Sequence, residues 1–572
     1  MLRFAVIEDP ERGQTGPRVW LRHAHVVAQG DVAVPAAITL SEGMITCEKQ
    51  APGAGALALQ VAVGGAGNGP GAGEGPAGSG VTTLRTCLLP ERRAPYLLTL
   101  ELARHALLML LNKQEEWALF TASADEPAIR GVEQAGELFT AALVASGVGA
   151  GGYTLGAERA AWRALDAAVA AGERLALLHA QSQHRRRASG ELARIAAHPP
   201  PALAVTDHEA RRGRAALLGA PGVALTESPK IGARVSTGLF SAELCELAAG
   251  SLDFITVPMR WVEMEPTEGK YAFAATDRWI EWAVTRARLP VQAGPLIDLH
   301  PRSIPEFMYI WEHDYETLLD VCLEHVRTLV TRYRRTVQTW VVCSAVQCGS
   351  GLRLSPEQAM DLTRKAVLLT RKLHPQGRVI VEVAQPWGEY TAGPRGGRAV
   401  PPMAYVELMG QMQVNPDALG VRVQMGQAEG GRSARGLMDL AAMLDRLAEF
   451  DRPIAVTALG APSREGPVPI AAEALTPGHW RSGWTPQVQA EWLGRVGGLM
   501  ASMPYVQSVC WQDLYEPDAS AGPVNGPGAA GAPEMAWGGL ASASGVAKPA
   551  LEALRRLRAS LRGNAAVLAG LE

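Results

Sequence analysis

The chain has 572 residues and a formal net charge of −3. That length exceeds one ordinary domain. Nucleic-acid-binding proteins present a concentrated basic face to the phosphates, so the small negative charge argues against nucleic acid as a partner.

The sequence shows no targeting or membrane segment. Residues 1–9 lack the charged start, apolar core and cleavage site of a secretory signal. No apolar run reaches the roughly 18 residues that span a bilayer. We therefore expect a soluble, cytoplasmic protein without a membrane partner.

Seven cysteines are scattered along the chain without C-x-x-C spacing. An odd number in this arrangement is typical of reduced thiols that pack as small hydrophobic side chains. The chain also lacks metal-ligand spacings such as H-E-x-x-H and phosphate-binding loops of the G-x-x-x-x-G-K-S/T type. The sequence therefore implies neither a metal nor a cofactor.

Residues 1–92 have the pattern of a small β-rich module. Short alternating or β-branched runs, for example 56–63 and 81–87, are separated by glycine and proline. This pattern predicts a small β-sandwich or sheet. Residues 64–73 are so rich in glycine, and so poor in apolar side chains, that they predict a flexible surface loop.

Residues 93–197 change to a helical period. Apolar residues occupy nearly every face of the first helix, which predicts that it is buried between the sheet and other helices. Its polar end, which includes Lys113, is interpreted as a solvated face. Further helices are predicted over 126–146 and 156–188, and the proline-rich start of 198–224 indicates a linker.

From residue 225 onward, several short segments form an ordered series. The most specific, 265–273, reads E-P-x-x-G-x-Y-x-F, and segments 340–345 and 453–460 follow it. These segments resemble glycoside hydrolase family 10, the endo-1,4-β-xylanase barrels, whose patterns read roughly W-D-V-V-N-E and P-I-x-I-T-E-L-D at the last two places. The resemblance implies an α/β fold, a (β/α)8 TIM barrel over 225–562.

The resemblance also implies that Ala345 and Ala458 occupy the positions of the family's acid/base and nucleophile glutamates, at the ends of the fourth and seventh strands. A methyl group neither donates a proton nor attacks a sugar carbon, so the family's double-displacement mechanism is predicted to be lost. Accompanying groups of the family are changed as well, at Val257, Pro258, Arg260, Ser344 and Gly426. This coordinated change argues against glycoside cleavage in the family manner.

Two carboxylates, Glu382 and Glu389, are candidates for a displaced catalytic role. Because strand residues alternate between lumen and helix layer, Glu382 is predicted to face Arg422 as a buried ion pair. The pair could merely fill the lumen, or Glu382 could act as a displaced acid or sugar ligand. A neighbouring guanidinium favours the carboxylate form, which cannot donate a proton, and so favours the first reading.

Six side chains are candidates for sugar binding: Arg260, Asp298, Trp387, Tyr390, Gln424 and Trp511. The resemblance gives Gln424 a substrate-contacting role and places Arg260 where the family has a lysine. An exposed Trp387 and Tyr390 beside carboxylates could stack on and hydrogen-bond a sugar ring, while loop packing explains Trp387 equally well. Asp298 and Trp511 lie near the ends of the third and eighth strands, where barrel loops build sites.

Three functions stay open. The favoured one is a non-catalytic carbohydrate-binding or regulatory relative, a pseudoenzyme, whose partner is an oligo- or polysaccharide. The second is an active O-glycosyl hydrolase of xylanase-like type that uses displaced carboxylates. The third is a structural scaffold whose N-terminal module binds a protein partner that the sequence does not identify. Fold resemblance alone does not separate these functions, because function belongs to the site.

Overall fold

The computed structural model describes residues 1–9, 18–50, 52–64, 80–119, 123, 125–147, 152–191, 228–349, 351–393, 398–427, 429–464, 478–481, 483–516, 535 and 537–563. The linker predicted over 198–224 lies outside these residues, as does the loop predicted over 64–73 apart from Gly64. Within the described ranges, no helix is long and apolar enough to cross a membrane.

The first part of the chain forms two β-sheets. Its strands are β1 (Leu2–Ala5), β2 (Val19–Val27), β3 (Ala33–Val34), β4 (Ala36–Ser41), β5 (Met44–Lys49), β6 (Ala56–Val63), β7 (Gly80–Arg85) and β8 (Tyr96–Leu97). One sheet has the order β4-β5-β1-β8, and the other contains β7-β6-β2-β3. Leu2, Phe4, Ile45 and Leu57 are fully buried in the core beneath these sheets. The predicted β-rich part is therefore present as two sheets.

Three helices follow: α1 (Leu98–Glu116), α2 (Pro127–Ala145) and α3 (Leu155–Ala188). The Thr154 side chain begins α3 by accepting a hydrogen bond from the Ala157 backbone N–H at 3.2 Å. The first turns of α1 are buried, but Leu108 and Leu111 are 46% and 47% exposed. The expectation that α1 is buried all round is wrong for its second half, because α2 and α3 cover only part of its surface.

A closed barrel of parallel strands follows. Strands of this part are β9 (Lys230–Arg234), β10 (Phe254–Val257), β11 (Val291–Ala293), β12 (Ile297–Asp298), β13 (Thr339–Ser344), β14 (Arg378–Val383), β15 (Ala418–Gln424), β16 (Ile454–Gly460), β17 (His479–Trp480), β18 (Val506–Trp511), β19 (Asp513–Glu516) and β20 (Gly539–Ser542). β11 and β12 are two pieces of the third barrel strand. The order β11-β10-β9-β18-β16-β15-β14-β13, closed by pairing of β11 with β13, confirms the predicted eight-stranded barrel.

Helices surround the barrel: α4 (Ala242–Ser251), α5 (Trp261–Met264), α6 (Ala274–Glu281), α7 (Tyr315–Tyr333), α8 (Pro356–Leu373), α9 (Pro402–Gln411), α10 (Leu437–Ala448), α11 (Pro486–Trp492), α12 (Gly498–Ser502) and α13 (Pro549–Leu561). Outward strand residues such as Ile255, Val381 and Val421 are fully buried beneath them. Burying each such side chain stabilises the fold by roughly 1.5–3 kcal/mol. The lumen holds a separate small apolar layer of Val341, Ile380, Ala418 and Ala455.

The N-terminal sheets and helices contact the barrel directly. β17, from the segment after the seventh barrel strand, pairs antiparallel with β7 and completes the five-stranded sheet. The Thr83 backbone N–H donates to the Ala434 carbonyl at 2.8 Å. Lys113 of α1 is 5% exposed and lies 2.5 Å from Asp445 of α10. The interpretation of Lys113 as part of a solvated face is therefore wrong, because a barrel helix covers it and supplies its counter-charge.

Candidate functional site at the carboxyl ends of the barrel strands

Ala345 and Ala458 lie, as predicted, near the carboxyl ends of the fourth and seventh barrel strands. Ala345 directly follows β13 and has a φ of 55°. Ala458 lies two residues before the last residue of β16. They are 5% and 2% exposed. Ala345 packs with Cys348 and Ala384 in a small apolar cluster. Neither alanine offers a group that can transfer a proton or bond covalently to a sugar.

A buried polar cluster occupies the adjacent lumen. Glu382 is 2% exposed and Arg422 9% exposed. Arg422 Nε and Nη2 each lie 2.9 Å from Glu382 Oε1. The Ser344 hydroxyl donates to the same oxygen, and the Thr457 hydroxyl donates to Oε2. The predicted buried ion pair is confirmed, and we call these four residues the lumen carboxylate cluster.

Hydrogen bonds join all four residues of the lumen carboxylate cluster. Three neighbouring groups donate to the two oxygens of Glu382, and Arg422 Nη2 also lies 3.3 Å from the Ser344 hydroxyl oxygen. A buried charge of this kind is tolerated only when it is paired and hydrogen-bonded. The arrangement fixes the Glu382 side chain in one orientation and uses both of its oxygens.

Sequence reasoning missed Thr457, and the structure gives the reason. β15 and β16 pair Val421 with Val456 but Arg422 with Ala458, so β16 contains an irregularity at Thr457. Side chains of a regular strand alternate between two faces, and a bulge breaks that alternation. The side chains of Thr457 and Ala458 can therefore both point into the lumen, although they are consecutive. The sequence near them gives no sign of this irregularity.

Glu389 and Trp387 lie in the loop after the fifth strand and share one partner. Arg435, from the loop after the sixth strand, forms an ion pair with Glu389, and its guanidinium carbon lies 4.4 Å from the centre of the Trp387 ring. Burial raises the pKa of Glu389, but the charges of Arg435 and His25 outweigh burial and lower that pKa. Glu389 is therefore a poor proton donor at neutral pH.

The same loop packs against the N-terminal sheets. His25, which acts on Glu389, belongs to β2, and the Thr391 hydroxyl donates to the Ala33 carbonyl at 2.6 Å. The Tyr390 hydroxyl donates to the Val400 carbonyl at 2.7 Å. Burial raises the Tyr390 pKa well above its usual value. One face of Trp387 and the hydroxyl of Tyr390 are thus engaged within the protein, and their sugar-binding roles stay predictions.

Gln424 and Arg260 differ in whether their side-chain donors have hydrogen-bond partners. Gln424, the last residue of β15, is 4% exposed, and its Nε2 has no hydrogen-bond partner in the described part of the chain. A buried amide N–H without an acceptor is costly, so it marks a place where a ligand oxygen would be stabilising. Arg260 instead binds the Glu263 carboxylate at 2.5 Å and the Arg302 carbonyl at 2.9 Å.

Asp298 and Trp511 are both occupied by local contacts. Asp298 accepts from the His300 backbone N–H at 3.0 Å and from the Ser303 hydroxyl at 2.9 Å, which shapes its own loop. Trp511 is fully buried, and its indole N–H donates to the Gly538 carbonyl at 2.7 Å. This burial argues against a stacking role for Trp511 in this conformation.

The cysteines beside Ala345 offer no reactive group. All seven cysteines of the chain are free thiols, and Cys343 and Cys348 are buried. Burial raises the pKa of Cys343 to about 12 and raises that of Cys348 as well. Since the thiolate is the nucleophile, these thiols are chemically inert at neutral pH. Among the described residues, no group of three or more His, Cys, Asp or Glu side chains could hold a metal ion.

The fold and the site define this part of the chain as a (β/α)8 barrel with a polar lumen. Residues 224–459 match the model of the glycosyl hydrolase family 10, and the chain therefore contains a domain of that family. Endo-1,4-beta-xylanase C of Paenibacillus barcinonensis is 29% identical over 102 residues, which cover 17% of this chain and only 9% of that relative.

Solved structures also resemble the barrel. Xylanase B from Clostridium stercorarium F9 superposes with a TM-score of 0.43 and 14% identity, covering 57% of this chain and 96% of that one. A mutant structure in complex with xylotriose gives a TM-score of 0.41 and 17% identity, covering 57% of this chain and 97% of that one.

Proposed function

We propose that this protein is a non-catalytic, carbohydrate-binding relative of the family 10 glycosyl hydrolases. The observation that carries the proposal is the pair of alanines, Ala345 and Ala458, at the two strand ends where the family resemblance expects glutamates. A retaining glycosidase needs two carboxyl groups about 5–5.5 Å apart, one as acid and one as nucleophile. Methyl groups at both positions remove both steps together.

An enzyme with displaced carboxylates is the second candidate, and the contacts argue against it. Both oxygens of Glu382 already accept hydrogen bonds within the lumen carboxylate cluster. Glu389 is ion-paired with Arg435. Burial raises the pKa of Glu389, but the charge of Arg435 helps to lower it by more, so the net shift is downward. Both carboxylates are thus bonded to neighbouring side chains, which argues against either of them protonating a glycosidic oxygen.

Gln424 supports the binding half of the proposal. Its unpartnered Nε2 donor stands at the end of the sixth strand, on the rim where (β/α)8 barrels bind their ligands. A sugar hydroxyl or ring oxygen would satisfy this donor. Since one similar structure is a complex with xylotriose, xylotriose is the first ligand to test.

Two assays on the purified full-length chain test the proposal. We expect no release of product from xylan or aryl xylosides above background, and calorimetric titration with xylotriose should show binding. Gln424→Ala should weaken that binding by roughly tenfold, the loss of about one hydrogen bond to a buried group. Gln411→Ala, an exposed glutamine on α9, serves as the matched control.

Three results separate the alternatives. Turnover that Glu382→Gln or Glu389→Gln abolishes would establish the displaced-carboxylate enzyme. Xylotriose binding that is equal in the Gln424→Ala and Gln411→Ala variants would remove Gln424 from the site. Absence of both turnover and binding across xylo- and cello-oligosaccharides would favour the scaffold function.

A further inference from the structure

The second half of α1 has an apolar outer face that the described part of the chain leaves open. Leu108 and Leu111 are 46% and 47% exposed. Leu110 and Lys113 lie two residues further along, which is about 200° around a helix, and both are buried. Since Lys113 bonds to Asp445 of barrel helix α10, the two exposed leucines point away from the barrel.

Charged side chains of opposite sign flank these leucines. Arg104, Leu108, Leu111 and Glu115 follow one another at spacings of four, three and four residues. This spacing keeps side chains on one face of a helix, and it is the spacing of the contact seam in a coiled coil. The arginine lies on the N-terminal side of the leucines and the glutamate on their C-terminal side. We call these four residues the α1 seam.

The α1 seam is complementary to itself when two copies run antiparallel. The midpoint between Leu108 and Leu111 is also the midpoint between Arg104 and Glu115. A twofold axis through this point sets Leu108 opposite Leu111 of the partner subunit. The same axis sets Arg104 opposite Glu115 of the partner subunit, and symmetry repeats both contacts. A parallel pair would set each charge opposite its own copy, so the charges favour the antiparallel pair.

Glu115 gives a separate indication of a cationic partner. It is exposed and lies one residue before the C-terminal end of α1, where the helix dipole disfavours a negative charge. Its neighbour Glu116 pairs with Lys113, whereas Glu115 forms no ion pair within the described ranges. A cation from a second chain would offset this local cost.

Arg104 can supply that cation. It pairs with Glu101 of the same helix at 2.9 Å, and 34% of its side chain is exposed. A guanidinium has five N–H donors, so it can bind a second carboxylate while it keeps the first.

From these observations we propose that the protein forms a homodimer in which the α1 seams of two copies pack antiparallel. The four leucines form the apolar centre of the contact, and an ion pair between Arg104 and Glu115 closes each end. One pair of short helices makes a small interface, and interfaces below about 1,200 Å² are typical of weak, reversible complexes. The dimer therefore depends on protein concentration. It is separate from the barrel lumen and does not depend on glycan binding there.

Analytical ultracentrifugation of the full-length protein measures this equilibrium. Between about 1 and 200 µM, the mass should rise from that of one chain towards that of two. Leu111→Gln keeps a good helix former but removes two leucines from each dimer, so it should raise the dissociation constant at least about tenfold. Leu368→Gln is the matched control, because Leu368 is a 50% exposed leucine on barrel helix α8, and it should leave the constant unchanged.

Charge variants test the antiparallel arrangement. Glu115→Arg sets arginine against arginine at both ends of the dimer, and Arg104→Glu sets glutamate against glutamate. Each variant alone should dimerise roughly three- to tenfold more weakly than the unmodified protein. An equimolar mixture of the two should recover dimerisation, because the mixed dimer has opposite charges at both ends. Loss of stability alone does not produce this recovery, and circular dichroism checks that each variant is folded.

Three results would overturn the dimer. One is a chain that stays monomeric up to about 200 µM, which would show that something other than a second copy covers the α1 seam. Another is a dimer that Leu111→Gln weakens no more than Leu368→Gln does. The third is a pair of folded charge variants that dimerise as the unmodified protein does, or no better when mixed than when alone.

Discussion

Replacing Arg422 by methionine tests whether the lumen carboxylate cluster is a structural unit. The substitution keeps the length and apolar stem of the side chain but removes both nitrogens that lie 2.9 Å from Glu382 Oε1. Glu382 is 2% exposed, so water does not replace the lost partner. Stranding a buried charge in this way costs roughly 3–5 kcal/mol.

The double variant Arg422→Met, Glu382→Leu should cost much less than the single one. It removes the charge together with its partner, and only the Ser344 and Thr457 hydroxyls lose an acceptor. Each such unsatisfied group costs about 1–3 kcal/mol, and a hydroxyl that rotates towards a backbone carbonyl costs least. Thr457 has such a carbonyl, that of Val421, at 3.1 Å.

Urea unfolding followed by tryptophan fluorescence measures these changes, since the chain has 14 tryptophans. Arg327→Met is the matched control, because it breaks an exposed ion pair with Glu324 and should cost less than about 1 kcal/mol. Two findings would refute the reasoning: an Arg422→Met variant as stable as the Arg327→Met variant, or a double variant less stable than the single one.

Two further predictions concern the barrel frame. The pKa of Glu265 is lowered to about 2, because hydrogen bonds from His325, Gly269 and Trp261 outweigh burial. Its contribution to stability is fully present above the unfolded value near 4.5 and is lost as the pH falls towards 2, so Glu265→Gln should flatten the acid limb of a pH–stability profile. Gly294→Ala should lower stability by about 1–3 kcal/mol in thermal unfolding, because Gly294 has a φ of +124° and a Cβ there would lie 2.3 Å from the Val341 carbonyl oxygen. An unchanged acid limb, or an alanine variant as stable as the parent, would contradict these two expectations.

The barrel could be predicted from the sequence because its signals are local. Segments 265–273 and 340–345 carry residue patterns of their own, and strict alternation along β14 and β15 placed Glu382 opposite Arg422. The prediction failed where contacts join distant parts of the chain. The sequence around Lys113 predicts a solvated side chain, because its partner Asp445 lies on a barrel helix 332 residues away and leaves no local signal.

The same limit applies to the candidate site. Nothing in the sequence around Glu389 indicates Arg435, because that residue arrives from a different loop. The irregularity at Thr457 changes which side chains enter the lumen, and a two-residue period cannot foresee it.

The most specific family segment of this chain serves the fold rather than the reaction. Within 265–273, Glu265 accepts from the Trp261 indole N–H and from the Gly269 backbone N–H, each at 2.8 Å. Its partner His325 stacks on Trp261 with ring centres 4.1 Å apart, which ties the segment after β10 to helix α7. These contacts hold the segment after β10 in place and involve neither Ala345 nor Ala458. A strong match in this segment therefore supports the fold, while activity depends on the residues at the strand ends, Ala345 and Ala458, and on the cluster around Glu382.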